Sequence, residues 1–302
     1  MLRFMRSLLI VSTLVIGFSY GAGAQEASPD ASPLPARDFA LLRALGLPEI
    51  HMVATDDGVT GVPANLEAGR YLVTLENQSA NEVDVVFLAV PTGTTDEDAL
   101  NGILQDDLPA WFYEAIFAGG PTTQSGQTDA VIVELAAGAW WVDVDRIADA
   151  EVQPIDTATK LQVTGELTPA GSIEGAIPLS LTEFAFGLPD TIATGPHIWQ
   201  LTNTGAQPHF MDLEGLPVGT TSEQLEELVG AFFTGTPAVT DIELSDSDLV
   251  DIDGTEIISP GQTTWIEVDL DPGTFAVACF IPDQGSGAPH IMMGMYQLFT
   301  VE

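Results

Sequence analysis

Four residues of this 302-residue chain have the types and the grouping to hold a metal ion. The single cysteine opens Cys279-Phe-Ile-Pro-Asp-Gln-Gly-Ser-Gly-Ala-Pro-His290-Ile-Met-Met-Gly-Met295, and a second histidine stands upstream in Asn203-Thr-Gly-Ala-Gln-Pro-His209. Taken alone, Cys279 reads equally well as a small buried hydrophobe or as a ligand. With His209, His290 and Met295 it makes one thiolate, two imidazoles and one thioether, the donor set that holds copper for one-electron transfer. Soft sulfur stabilises Cu(I), imidazole accepts both oxidation states, and a fixed cage limits rearrangement as the electron moves. Met293 competes with Met295 for the weak axial place. The alternative is a metal-free shell in which His290 and the methionines fill gaps in the core and loops.

Three of these donors share one loop and the fourth lies on a distant strand, so a β-fold must bring them together. The chain also repeats itself. Leu75 to Glu97 aligns without gaps on Leu201 to Glu223 at an offset of 126, with about eight identities in 23 positions. Gly126-Gln-Thr128 matches Gly261-Gln-Thr263 at an offset of 135, which implies a nine-residue insertion in the second copy. Ile266, Val268 and Leu270 alternate with Trp265, Glu267 and Asp269, a strand with one wet face. Phe275 to Phe280 is nearly all apolar, as in a central strand buried on both sides. Thr94-x-x-Glu97 and Thr220-x-x-Glu223 predict capping boxes, the second followed by Leu225, Leu228, Val229 and Phe232 at helical spacing. The expected fold is all-β: two Greek-key β-sandwiches, each with a short helical insert. Their expected bounds are 48–167 and 175–302, with a linker at 168–174.

At the quoted residues the sequence resembles the cupredoxin family. Asn203-x-Gly-x-x-Pro-His209 is similar to the strand end that supplies the first histidine in plastocyanin-like proteins, and Cys279…Pro-His290-x-x-x-Gly-Met295 to the Cys–His–Met ligand loop. The resemblance implies one type 1 copper, with Cys279, His209 and His290 equatorial and Met295 axial. Ten residues separate Cys279 from His290, more than in small plastocyanins and closer to copper nitrite reductases. The first copy carries Val83 and Val144 where the second has His209 and Cys279, so it is expected to lack the metal. His51 and His197 read as structural or exposed, and Asp143 and Asp145 as a wet strand face rather than a catalytic pair.

Charge and composition bound the rest. There are 44 acidic and 7 basic residues, too few cations for nucleic acid. The acids are spread through both halves, which favours a solvated surface over a docking face for a basic redox partner. Arg3 and Arg6, the apolar run Leu8 to Phe18 and Gly21-Ala-Gly-Ala24 predict a signal peptide over 1–24 and hence an exported chain without a membrane span once cleaved. A Pro/Ser/Ala-rich tether over 25–47 follows, with a short helix within 37–47. With His209 and His290 assigned, only His51 and His197 remain, too few for a three-histidine catalytic copper, and hydrolase motifs are absent. The expectation is therefore a protein that is not an enzyme.

Overall fold

Alternating and fully apolar runs become nineteen strands in a computed structural model that describes residues 37–104, 108–147, 158–168, 171–234 and 249–302. The expected signal peptide and the tether up to residue 36 lie outside the described residues, as do parts of the expected linker. The first half holds β1 (Glu49–Thr55), β2 (Gly58–Thr60), β3 (Asn65–Glu67), β4 (Gly69–Asn77), β5 (Glu82–Ala89), β6 (Ile116–Phe117), β7 (Thr122–Thr123), β8 (Thr128–Leu135), β9 (Gly138–Ile147) and β10 (Thr159–Thr164). The second holds β11 (Ile177–Thr182), β12 (Ala185–Gly187), β13 (Thr191–Ile192), β14 (Gly195–Asn203), β15 (His209–Leu216), β16 (Val250–Ile258), β17 (Thr263–Leu270), β18 (Gly273–Ala278) and β19 (Tyr296–Val301).

The strands form two β-sandwiches that share one sheet. Eight strands run in the order β12-β11-β14-β17-β8-β4-β1-β2. A sheet ordered β3-β10-β9-β5-β6, with β7 on β5, completes the first sandwich, and β13-β19-β18-β15-β16 the second. The inner faces are apolar: Val85, Phe87 and Val144 in the first, Met211, Leu213, Val277 and Phe299 in the second. As expected, β18 is central and buried almost throughout. The halves meet where β8 pairs β17, Val131 facing Ile266 and Ile132 facing Trp265. Those first two residues are 135 apart, the same offset that the sequence repeat shows.

A second seam joins the halves beside the loop that runs from Cys279 to Met295. Ser259 donates to Phe117 O at 2.9 Å through its amide and to Ala115 O at 2.8 Å through its hydroxyl, which also accepts the Phe117 N–H. Tyr113 Oη donates to Pro282 O at 2.7 Å, so the first sandwich touches the loop between Cys279 and His290.

Three details differ from the sequence reading. The face of β17 read as wet is covered at Trp265 and Glu267, while Asp269 on it stays exposed. Residues 37–47 pack on it rather than hang as a tether, with Phe39 and Leu42 against Trp265, Ile132 and Leu72. Their helix, Ala40–Ala44, has its leading amides capped by Glu267 Oε2, which accepts from Leu41 and Leu42 at 2.9 and 3.0 Å. Arg37 pairs with Asp253 at 2.7 Å and donates to Glu267 O. Helix caps fall one residue later than expected: Thr95 with Asp98 before the helix Asp96–Leu104, and Thr221 with Gln224 before Ser222–Thr234. Each threonine pair offers two candidate caps, and the second of each takes the role. Asp143 and Asp145 are buried, not wet, at 2% and 6% exposure. Among the described residues no helix is long and apolar enough to cross a membrane.

Candidate metal centre

His209 is the first residue of β15, and a turn built around Asn203 delivers it. The buried Asn203 amide donates to Gln207 O and Ile258 O, both at 2.8 Å, and its Oδ1 accepts from the Gly205 amide at 2.9 Å. Gln207 then reaches across to the ligand loop, donating to Asp283 Oδ1 and accepting from the Gln284 amide. The equivalent Asn77 does the same work in the first half, donating to Asn81 O and Thr123 O and accepting from Ser79. The asparagine is thus the turn's scaffold, not a chemical group of the site.

Cys279 follows β18 directly, and its backbone is tied to the other end of the loop. Its amide donates to Met295 O at 3.1 Å, Met295 N to His290 O at 3.0 Å, and His290 N to Ile281 O at 2.8 Å. The long Cys–His spacing is absorbed by a closed tip. Pro282 pairs with Pro289, Asp283 N donates to Ala288 O, and Gly287 N donates back to Asp283 O. Asp283 Oδ2 also accepts from the amides of Gly285 and Ser286, and hydrogen bonds from Gln207 and Ser286 hold its carboxyl down to about 2. Residues 283–288 therefore form their own small hairpin between Cys279 and His290. After the one-turn helix His290–Met293, Gly294 takes φ 99°, a left-handed conformation suited to glycine, and returns the chain to Met295.

The donor atoms converge. His209 Nδ1 and His290 Nδ1 are 3.1 Å apart, and Cys279 Sγ lies 3.9 Å from the first and 3.7 Å from the second. All ligand atoms of this trio lie within 4.8 Å of one another, and all three residues are fully buried. Met295 is equally buried and belongs to the core around them, whereas Met293 is 40% exposed with its sulfur 4.0 Å from Ser286 Oγ. The edge of Phe184 covers His290, with ring centroids 5.1 Å apart. His209 Nε2 lies 3.4 Å from Glu183 Oε1, a charge contact longer than a well-formed hydrogen bond. No sequence signal singled out Glu183 among 44 acids.

His51 and His197 take no part. His51 sits on β1, with Nδ1 3.0 Å from Thr74 Oγ1, and His197 Nε2 donates to Ala193 O at 2.8 Å. Val83 and Val144 fill the corresponding place in the first sandwich as fully buried core.

Burial sets the protonation of the trio. Desolvation pushes both imidazoles down to about 4, against the pull of Glu183 on His209 and with the added repulsion of His209 on His290. Desolvation drives the Cys279 thiol up to about 12, although the amides of Phe210 and Ile281 point at its sulfur and favour the thiolate. At neutral pH the metal-free trio is therefore two neutral imidazoles and a thiol. Its stability should fall as pH drops from about 6.5 toward 4, because the unfolded chain binds the imidazole protons first. Metal binding at pH 7 should release close to one proton, from Cys279; calorimetry in buffers of different ionisation enthalpy measures it. Release near three would mean imidazoles that start protonated.

Two neutral imidazoles whose Nδ1 atoms face each other at 3.1 Å, a cysteine sulfur at which two amides point, and a buried thioether in the same core make a set that suits copper.

No protein-family model and no curated protein matches the chain. Solved structures do. The dithionite-reduced auracyanin of Roseiflexus castenholzii is 18% identical over 43% of this chain and 99% of its own, with TM-score 0.28. A multicopper oxidase is 13% identical over 84% of this chain and 88% of its own, with TM-score 0.24. The Cu-containing nitrite reductase of Thermus scotoductus is 10% identical over 85% of this chain and 55% of its own, with TM-score 0.23. At such identities the likeness concerns fold alone. It nevertheless overturns the expectation of a protein that is not an enzyme, since enzymes stand among the structures of this fold. A histidine count bounds only what one copy of a chain holds, and a site completed by a second copy escapes it.

Proposed function

We propose that the second sandwich holds one type 1 copper through His209, Cys279 and His290, with Met295 as axial ligand, and that the site passes single electrons. The observation that carries this reading is the convergence of Nδ1, Nδ1 and Sγ in a fully buried pocket. A copper there would supply reversible one-electron redox chemistry. The chain's own part is to hold the donors still: the loop bonds from Cys279 to Met295 and from Met295 to His290 leave little room for rearrangement. The first sandwich, 48–167, is read as a copy without ligands, with Val83 and Val144 in their place. The register of Val131 on Ile266 supports a repeat offset of 135. Residues 1–24 fit a signal peptide, so the setting would be outside the cytoplasm, and a redox partner is implied.

Titration of the protein with Cu(II) tests the reading. An intense thiolate-to-copper visible band should rise to an endpoint near one ion per chain, bleach on reduction and return on reoxidation. Copper uptake without that band would contradict a thiolate-ligated site.

A further inference from the structure

Glu183 lies in the turn between β11 and β12, outside the ligand loop and 26 residues before His209 in sequence. Its Oε1 accepts the amides of Ala206 and Gln207 at 2.6 and 2.7 Å, and the same oxygen faces His209 Nε2 at 3.4 Å. Among the described residues that buried nitrogen has no other polar partner. Because two amides fix the carboxylate, its position does not depend on the imidazole.

We propose that Glu183 is a positioning residue for His209: it fixes the ring with Nε2 protonated and Nδ1 turned toward Cys279 and His290, and its charge lowers the reduction potential of a copper held there. This rests on the copper reading above. A metal-ligating histidine needs its second nitrogen oriented by an outer partner, and a carboxylate partner makes the ligand more basic. A negative charge close to the site also favours Cu(II) over Cu(I).

The first sandwich separates this role from a purely structural one. Ala54 faces Asn77 across β1 and β4, and Leu181 faces Asn203 across β11 and β14. Two residues beyond each comes an acid, Asp56 or Glu183. Asp56 Oδ1 accepts the Ala80 amide at 3.0 Å, as Glu183 accepts that of Ala206. Anchoring the turn thus explains a carboxylate in both halves. It does not explain why the second has the longer side chain, opposite a histidine where the first has Val83. Nor does it explain Gly205, where the first half has Ser79: a Cβ at Gly205 would lie 2.6 Å from Oε1 and 2.9 Å from Oε2. The glycine leaves the space that the longer carboxylate occupies.

Glu183→Gln keeps an acceptor oxygen on the same stem and removes the charge. The full chain carrying it should still bind one copper, with the Cu(II)-to-Cu(I) affinity ratio lowered about tenfold, a rise in potential of ~60 mV for one electron. Gly205→Ala, which displaces the carboxylate without touching a ligand, should shift the potential in the same direction. Glu183→Ala should weaken copper binding about 10–100-fold. Nitrogen-15 shifts of the metal-free protein give a reading that needs no copper: His209 should be the Nε2–H tautomer in the wild type and a mixture in Glu183→Ala. If the wild type binds copper, an unchanged potential in both Glu183→Gln and Gly205→Ala overturns the charge effect. An unchanged tautomer in Glu183→Ala overturns the positioning role. If the wild type takes no copper, the copper reading fails by itself and the tautomer alone decides the assignment of Glu183.

Discussion

Cys279→Ser is expected to abolish the visible band and to cut copper affinity well beyond the ~10–100-fold typical of losing an outer partner. Serine is a harder donor with a higher pKa, and its shorter bond withdraws the ligand atom from the two imidazoles. The metal-free fold should hardly notice. The amides of Phe210 and Ile281 that point at Sγ can donate to a hydroxyl, so the buried polar group has partners. The expected cost is about 1 kcal/mol, within the range for a satisfied buried hydroxyl. Competitive titration with a chelator, visible spectroscopy and thermal unfolding of the metal-free protein check the three parts separately. A variant that keeps the band would remove Cys279 from the site, and one that fails to fold would make it core rather than ligand.

Asn203→Ala is expected to be the most damaging change outside the donors. It would strand the Gly205 amide and the carbonyls of Gln207 and Ile258, all of which the buried side chain now satisfies. At roughly 1 kcal/mol for each net bond, and more for a buried group left unpaired, the loss is about 3 kcal/mol. The turn also sets where β15 begins, so copper affinity should fall with stability. Asn77→Ala is the matched control. It breaks the same kind of turn in the first sandwich and should cost a similar amount in denaturant unfolding while leaving the copper spectrum intact. If Asn77→Ala disturbed the spectrum equally, the site would depend on the first half more closely than this account allows.

Much of the arrangement was legible in residue types. Cys279, His290 and Met295 stand together in sequence, and Asn203-Thr-Gly announces the turn that carries His209, so local motifs placed each candidate residue on its element. Helix positions were readable too, but the caps slipped because Thr94-Thr95 and Thr220-Thr221 each offer two hydroxyls, and only geometry chooses between them. Period-two alternation in β17 correctly gave a strand yet misjudged its outer face. Alternation reports which residues share a face and says nothing about a segment some 220 residues away, Arg37 to Leu47, that comes to cover it. Asp143 and Asp145 failed for the same reason: a charged residue in an alternating strand was taken as wet. Glu183 was invisible because its meaning depends on register, which places it beside the Asn203 turn through the β11–β14 pairing. The long Cys–His spacing counted as a departure until the hairpin tip at 283–288 showed where the extra residues go.

The most direct test of the central claim is the metal content of the intact protein after expression with ample copper, measured by elemental mass spectrometry beside Cys279→Ser. The account expects close to one copper per chain in the wild type, accompanied by the visible band, and little copper in the variant. A copper-replete wild type that purifies without the metal, or a variant that retains as much as the wild type, would contradict it.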